Sequence, residues 1–158
     1  MRRPKNRLVP CIIVLAAALA TAGCSRLPVY SHYEHVDSDG WRTADTLRFV
    51  TAVADSATYG VTLGLRVDRA YPYTQIAIAT RCTDAAQRTR TADTLVVSIT
   101  DDDGNFIGAG TSLFQYDVAM QPVTLPAGDT LRISVSHVMT AQTLPGVTDV
   151  GITVQKYR

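Results

Sequence analysis

The sequence predicts an all-β domain, an antiparallel β-sandwich of about eight or nine strands, placed after an N-terminal signal peptide. Three observations carry this. Apolar and β-branched residues recur with period two, most cleanly where Val61, Leu63, Leu65 and Val67 alternate with Thr62, Gly64, Arg66 and Asp68. Turn-forming residues separate such runs every 8–12 residues or so, the spacing of a sandwich rather than of a βαβ fold. No stretch beyond the leader places apolar residues at the 3.6-residue spacing of an amphipathic helix. Alternation directs one face of each strand inward, and two such sheets close on a single core.

Residues 1–23 read as a lipoprotein signal peptide. Met1 to Arg7 holds four basic residues and no acid, and Leu8 to Ala20 is a run of thirteen uncharged residues. A membrane-spanning helix needs about 20 apolar residues. Extended through Cys24 the segment reaches seventeen, so an uncleaved anchor is the lesser alternative. Leu19-Ala20-Thr21-Ala22-Gly23-Cys24 closes it as a lipobox, with Cys24 as the acylated residue. Residues 24–28 form the lipidated tether and residues 29–158 the sandwich domain. About five extended residues reach only ~17 Å, so the domain is expected to lie close to the bilayer. Stable anchoring takes more than one acyl chain, each contributing about 0.8 kcal/mol per buried methylene.

The strands follow in order. Val29 to Val36 is the first, and Leu47 to Val53 follows Trp41 and a polar turn. Val61 to Val67 and Gln75 to Cys82 come next. Thr83 to Thr91 is polar and reads as a loop. Thr94 to Thr100 is rich in Leu95, Val96, Val97 and Ile99. Asp101-Asp102-Asp103-Gly104-Asn105 is a tight turn, because Asp-Gly and Gly-Asn accept the positive φ such a turn requires. Phe106 and Ile107 then begin a returning strand, with a bend at Gly108 and Gly110. Leu113 to Leu125 is extended and interrupted by Pro122. After the turn Pro126-Ala127-Gly128-Asp129, Thr130 to Met139 alternates again. Leu144-Pro145-Gly146 breaks the chain before a last strand carrying Val150, Ile152 and Val154 and ending at Lys156.

Charge and cysteine usage narrow the function. From Cys24 onward eleven basic side chains face fourteen acidic ones, a net charge of −3. There is no basic run, which speaks against nucleic acid as a partner. Cys11 leaves with the leader and Cys24 is acylated, so Cys82 remains alone, without a disulfide partner, and reads as a small buried hydrophobe.

Four residue sets suggest chemistry. His32-Tyr33-Glu34-His35 resembles a metal motif, but on a strand His32 and Glu34 share one face and His35 takes the other, so no metal site is expected. The Asp101–Asn105 carboxylates lack the ligand spacing of a calcium loop and fit a solvated turn. Tyr71-Pro72-Tyr73, with Trp41 and Phe106, gives the candidate binding residues Trp41, Tyr71, Tyr73 and Phe106. The alternative for these rings is a lid over the core. No serine elbow, Cys/His pair, P-loop or dinucleotide fingerprint is present. The expectation is a protein that is not an enzyme, with no catalytic residues and no cofactor.

Several segments taken in order resemble one family. These are the lipobox Cys24, Trp41 with Asp45-Thr46-Leu47-Arg48-Phe49, Leu63-Gly64-Leu65-Arg66, and Tyr71-Pro72-Tyr73. Further on come Ser98-Ile99-Thr100-Asp101 with Gly104-Asn105-Phe106-Ile107-Gly108-Ala109-Gly110, and Leu144-Pro145-Gly146-Val147-Thr148-Asp149-Val150-Gly151. The chain resembles the gliding motility lipoprotein GldH family of Bacteroidota over essentially all of its mature length. It departs at Thr74-Gln75-Ile76, where the family tends to Asn-Leu, and at Thr140, where an Arg often follows the methionine. The resemblance implies a cell-envelope lipoprotein tied to the gliding and type IX secretion machinery, with no known catalytic residues. Ser25, by its likeness to lipoprotein sorting signals, implies the outer membrane and a periplasm-facing domain. The leading expectation is therefore a lipoprotein that binds another envelope protein. The alternative is a carbohydrate- or peptidoglycan-binding sandwich, which requires Trp41, or Tyr71 and Tyr73, to lie coplanar on one exposed face.

Overall fold

A computed structural model describes residues 27–157. The expected signal peptide and the expected acylation site, Cys24, lie outside the described residues. The strands are β1 (Tyr30–His35), β2 (Trp41–Arg42), β3 (Leu47–Ala52), β4 (Ala57–Asp68), β5 (Gln75–Thr83) and β6 (Thr89–Ser98), followed by β7 (Leu113–Ala119), β8 (Val123–Leu125), β9 (Thr130–His137), β10 (Thr143–Leu144) and β11 (Val147–Lys156). They form two antiparallel sheets. The first runs β1-β11-β4-β7, with β8 also paired to β4, and the second runs β3-β9-β5-β6. Strands β2 and β10 form a separate two-residue ladder.

Period-two alternation explains both sheets. Along β4, Tyr59, Val61, Leu63, Leu65 and Val67 are buried, and register sets Val154, Ile152 and Val150 of β11 beside Val61, Leu63 and Leu65. In the second sheet Leu131, Ile133 and Val135 of β9 lie between Phe49 of β3 and Ile78 and Cys82 of β5, all buried. These inward faces pack on each other as one core. The long β4 serves two neighbours: Thr62–Asp68 pairs with β7 and Ala57–Tyr59 with β8. Pro122, which cannot donate to a ladder, falls between those partners.

Three elements differ from the sequence reading. Thr89 to Thr91 belongs to β6 rather than to a loop, because the edge of the second sheet leaves even polar residues a ladder partner on β5. The turn is thereby shortened to 84–88. It closes on the buried Asp84, whose carboxylate accepts from Arg88 N at 3.0 Å and Arg88 Nε at 2.7 Å, and pairs with Arg90 at 2.8 Å. Phe106 and Ile107 do not begin a returning strand. Thr100 and Phe106 form an isolated bridge, and the chain then crosses to the first sheet through Gly110 at φ 137°. The β2–β10 pair, two residues to a strand, is too short to carry a period in the sequence.

Candidate functional site

The two outer faces of the sandwich differ. That of the first sheet is covered by the chain's own side chains. Tyr33 of β1 lies flat across Gly151 of β11 and Gly64 of β4, where a Cβ would come within 2.6 Å of its ring carbons at Gly151 and 2.7 Å at Gly64. The Arg66 guanidinium stacks 4.1 Å above the ring. Gln115 Nε2 donates to the Tyr33 hydroxyl at 2.8 Å, and Arg66 Nε donates to Gln115 Oε1 at 2.9 Å. The glycines of Leu63-Gly64-Leu65-Arg66 and Val150-Gly151 thus form a slot for one tyrosine, and Arg66 closes it.

The second sheet has no such cover. Register builds its outer face in four rows. Val50, Arg132, Thr83 and Thr89 form the first, and Arg48, Ser134, Arg81 and Ala92 the second. The third holds Ser136, Ala79 and Thr94, and the fourth Val138, Ala77 and Val96, with Val138 N donating to Ala77 O at 2.9 Å. The small side chains of the third row floor an open depression of about 630 Å³ that extends to Thr46 and Asp93. A smaller pocket of about 280 Å³ adjoins it between Arg48, Arg81 and Arg132. Val50, Val96 and Val138 are half or more exposed. The face is therefore apolar at one end, small and polar in the middle, and basic at the other.

The residues singled out by sequence are distributed differently. Trp41 is buried in the core, its Nε1 donating to Asp45 O at 3.1 Å and its ring edge-on to His137 at 5.3 Å. Tyr71 is buried as well, donating to Gln75 O at 3.0 Å, and burial pushes its phenol far above the ordinary value. Tyr73 leans edge-on against Tyr71 and stays 38% exposed. Phe106 is half-buried and stacked on Phe114 at 4.5 Å. Trp41 therefore offers no exposed face, and Tyr71 and Tyr73 are not coplanar, their rings crossing at 72° with Tyr71 buried. Burying such large rings against the core stabilises more than leaving them wet.

The metal-like and calcium-like sequences satisfy themselves. His32 pairs with Glu34 at 3.1 Å on one side of β1, and His35 pairs with Asp149 at 3.2 Å on the other. Asp101 accepts the backbone N–H groups of Asp103 and Asn105 at 3.0 and 2.8 Å, bonds that hold its carboxyl below the usual range. Cys82 is buried without a disulfide, and desolvation raises its thiol pKa, as suits a core residue. Sequence reasoning missed Arg48, Arg81 and Arg132 as a group, along with Val96 and Val138. Each faces outward in its strand or, for Val138, just past the end of β9, but only the register brings them together.

Comparison with curated proteins finds no match. Among solved structures, the chain is similar to a CBM4 carbohydrate-binding module at 14% identity, covering 80% of this chain and 71% of that one, with a TM-score of 0.39. It is similar to part of the GH115 4-O-methyl-alpha-glucuronidase BtGH115A at 8% identity, covering 85% and 18%, with a TM-score of 0.47. It is also similar to part of dimeric latent PorU from Porphyromonas gingivalis at 8% identity, covering 86% and 14%, with a TM-score of 0.34. The model of the GldH lipoprotein family matches residues 28–154, and the chain belongs to that family.

Proposed function

We propose that this chain is an outer-membrane lipoprotein, acylated at Cys24, that works without catalysis by binding another envelope protein of the gliding and type IX secretion machinery. Membership of a lipoprotein family supports the lipid anchor. The observation that carries the binding role is the contrast between the two faces. Tyr33 and Arg66 close the first sheet, whereas the second presents Val96 and Val138 to solvent beside a floor of Ala and Ser. Exposed apolar residues gathered on one face mark a docking surface. Burial of Trp41 and Tyr71 supports this reading over the glycan-binding alternative, which calls for exposed rings.

Fractionation of a Cys24→Ser variant tests the anchor. The expected result is retention of the leader and a loss of protein from the outer-membrane fraction. Unchanged association with the outer-membrane fraction would overturn the anchor. Cross-linking of intact membranes, followed by affinity capture of this chain, is expected to recover an envelope protein, and recovery of none would overturn the binding role.

A further inference from the structure

We propose that the arginine pocket of the second sheet binds the phosphate group of a membrane lipid headgroup. Arg48 and Arg81 flank Ser134 on either side of β9, and Arg132 lies two residues along the same strand on the same face. Neighbouring strands are about 4.8 Å apart, so the three backbones fall within roughly 10 Å of one another. Their side chains line the 280 Å³ pocket together with Thr83, Gln87 and Ser134.

The other arginines of the described residues are engaged. Arg42 pairs with Asp45, Arg88 and Arg90 pair with Asp84, Arg66 bonds Gln115 beneath its stack on Tyr33, and Arg69 donates to Thr111. Arg48, Arg81 and Arg132 make no ion pair or side-chain hydrogen bond among the described residues, and the Arg132 Nε is buried without an acceptor. Three like charges gathered on one pocket, one with a buried donor unanswered, suit an anion, although from Cys24 onward acidic side chains outnumber basic ones. Planar guanidiniums answer phosphate oxygens two at a time.

Two features select a lipid phosphate over an acidic peptide. The basic residues converge on one pocket, and the rest of the depression, apart from Arg81 at its edge, holds no further cation along which a run of carboxylates could lie. The pocket also lies toward the end of the sandwich where β1 begins. There Val53 N donates to Asp129 O and Lys156 pairs with Asp55, which ties the two sheets together beside Tyr30. Arg132 is two residues, about 7 Å, from the Thr130 end of β9. Cys24 is six residues from Tyr30, at most ~20 Å, so an anchored domain brings this end to the headgroups. That last step rests on the lipid anchor proposed above.

The test uses the full chain in nonionic detergent, titrated by calorimetry with dihexanoyl phosphatidylglycerol, inorganic phosphate and hexaglutamate. The expected result is saturable binding of the short-chain lipid, weakened about tenfold by Arg81→Gln and by Arg132→Gln, with weaker binding of the other two probes. Arg48→Gln, at an exposed position of β3, gives the same loss if either inner variant fails to fold. No lipid binding, binding unchanged by the variants, equal binding of free phosphate, or tighter binding of hexaglutamate would each overturn the proposal. The mass of the N-terminal peptide separates the two readings. Unacylated Cys24 with normal lipid binding refutes the anchor alone, and acylated Cys24 without lipid binding refutes the pocket alone.

Discussion

Replacing Gly64 by alanine tests whether Tyr33 is held in a glycine slot. Gly64 lies in β4 without a positive φ, so alanine meets no backbone strain and the perturbation is purely steric. The new methyl would meet the Tyr33 hydroxyl and come within 2.7 Å of its Cζ. The backbone beneath is pinned by ladders to β11 and β7, so the ring must lift. Lifting weakens the Arg66 stack, about 0.5–1 kcal/mol at a partly exposed site, and the Gln115 hydrogen bond, about 0.5–1.5 kcal/mol. Alanine in a strand returns about 0.5 kcal/mol of backbone entropy. The net expectation is a loss of about 0.5–2 kcal/mol. Urea unfolding followed by the fluorescence of Trp41, the sole and buried tryptophan, reads this as a midpoint lowered by roughly 0.25–1 M. In a Tyr33→Ala background the same substitution is expected to be neutral or slightly stabilising, a coupling of at least about 0.5 kcal/mol. A Gly64→Ala midpoint unchanged from the parent, or additivity in the double variant, would refute the slot.

Two further expectations concern pH. His137 is buried against Trp41 with neither ring nitrogen hydrogen-bonded, and desolvation holds its pKa below the ordinary value. The unfolded chain therefore binds the proton first, and stability present above about pH 6.5 falls as pH drops below it; His137→Leu is expected to flatten that slope at little cost at pH 8, as urea midpoints at pH 5 and 8 will show. Burial of Asp84 raises its pKa, but the bonds from Arg88 and the charges of Arg88 and Arg90 outweigh this and set it below the ordinary value. Its contribution is complete above about pH 4 and is lost as pH falls through the lower folded value. Asp84→Asn is expected to lower the thermal midpoint at neutral pH and to reduce the acid sensitivity, and a variant with the parent's full acid slope would remove Asp84 as its source.

Much of the fold was legible because alternation is a local signal. Strands β4, β9 and β11 each carry five or more residues of unbroken inward and outward periodicity, and a register slip of one residue would turn all of them to solvent. Strands β2 and β10, at two residues each, are too short to show a period. The start of β6 reads as a loop because Thr89, Arg90 and Thr91 have no apolar face to bury at the sheet edge. The candidate site was harder to read. Arg48, Arg81 and Arg132 stand 33 and 51 residues apart in sequence and meet only through the order β3-β9-β5. Trp41 and Tyr71 misled for a related reason. An aromatic beside a turn reads the same whether it caps the core or faces a ligand, and only the burial of its ring decides.

Site-resolved photocrosslinking in intact cells tests most directly whether the open face of the second sheet is the working surface. A benzophenone amino acid would be placed at Val96 or Val138, both exposed on that face, and at Thr62 or Asp117 on the first sheet. The account predicts a discrete envelope-protein adduct from Val96 and Val138 and none from Thr62 and Asp117. Adducts from Thr62 and Asp117 alone, or from none of the four positions, would contradict it.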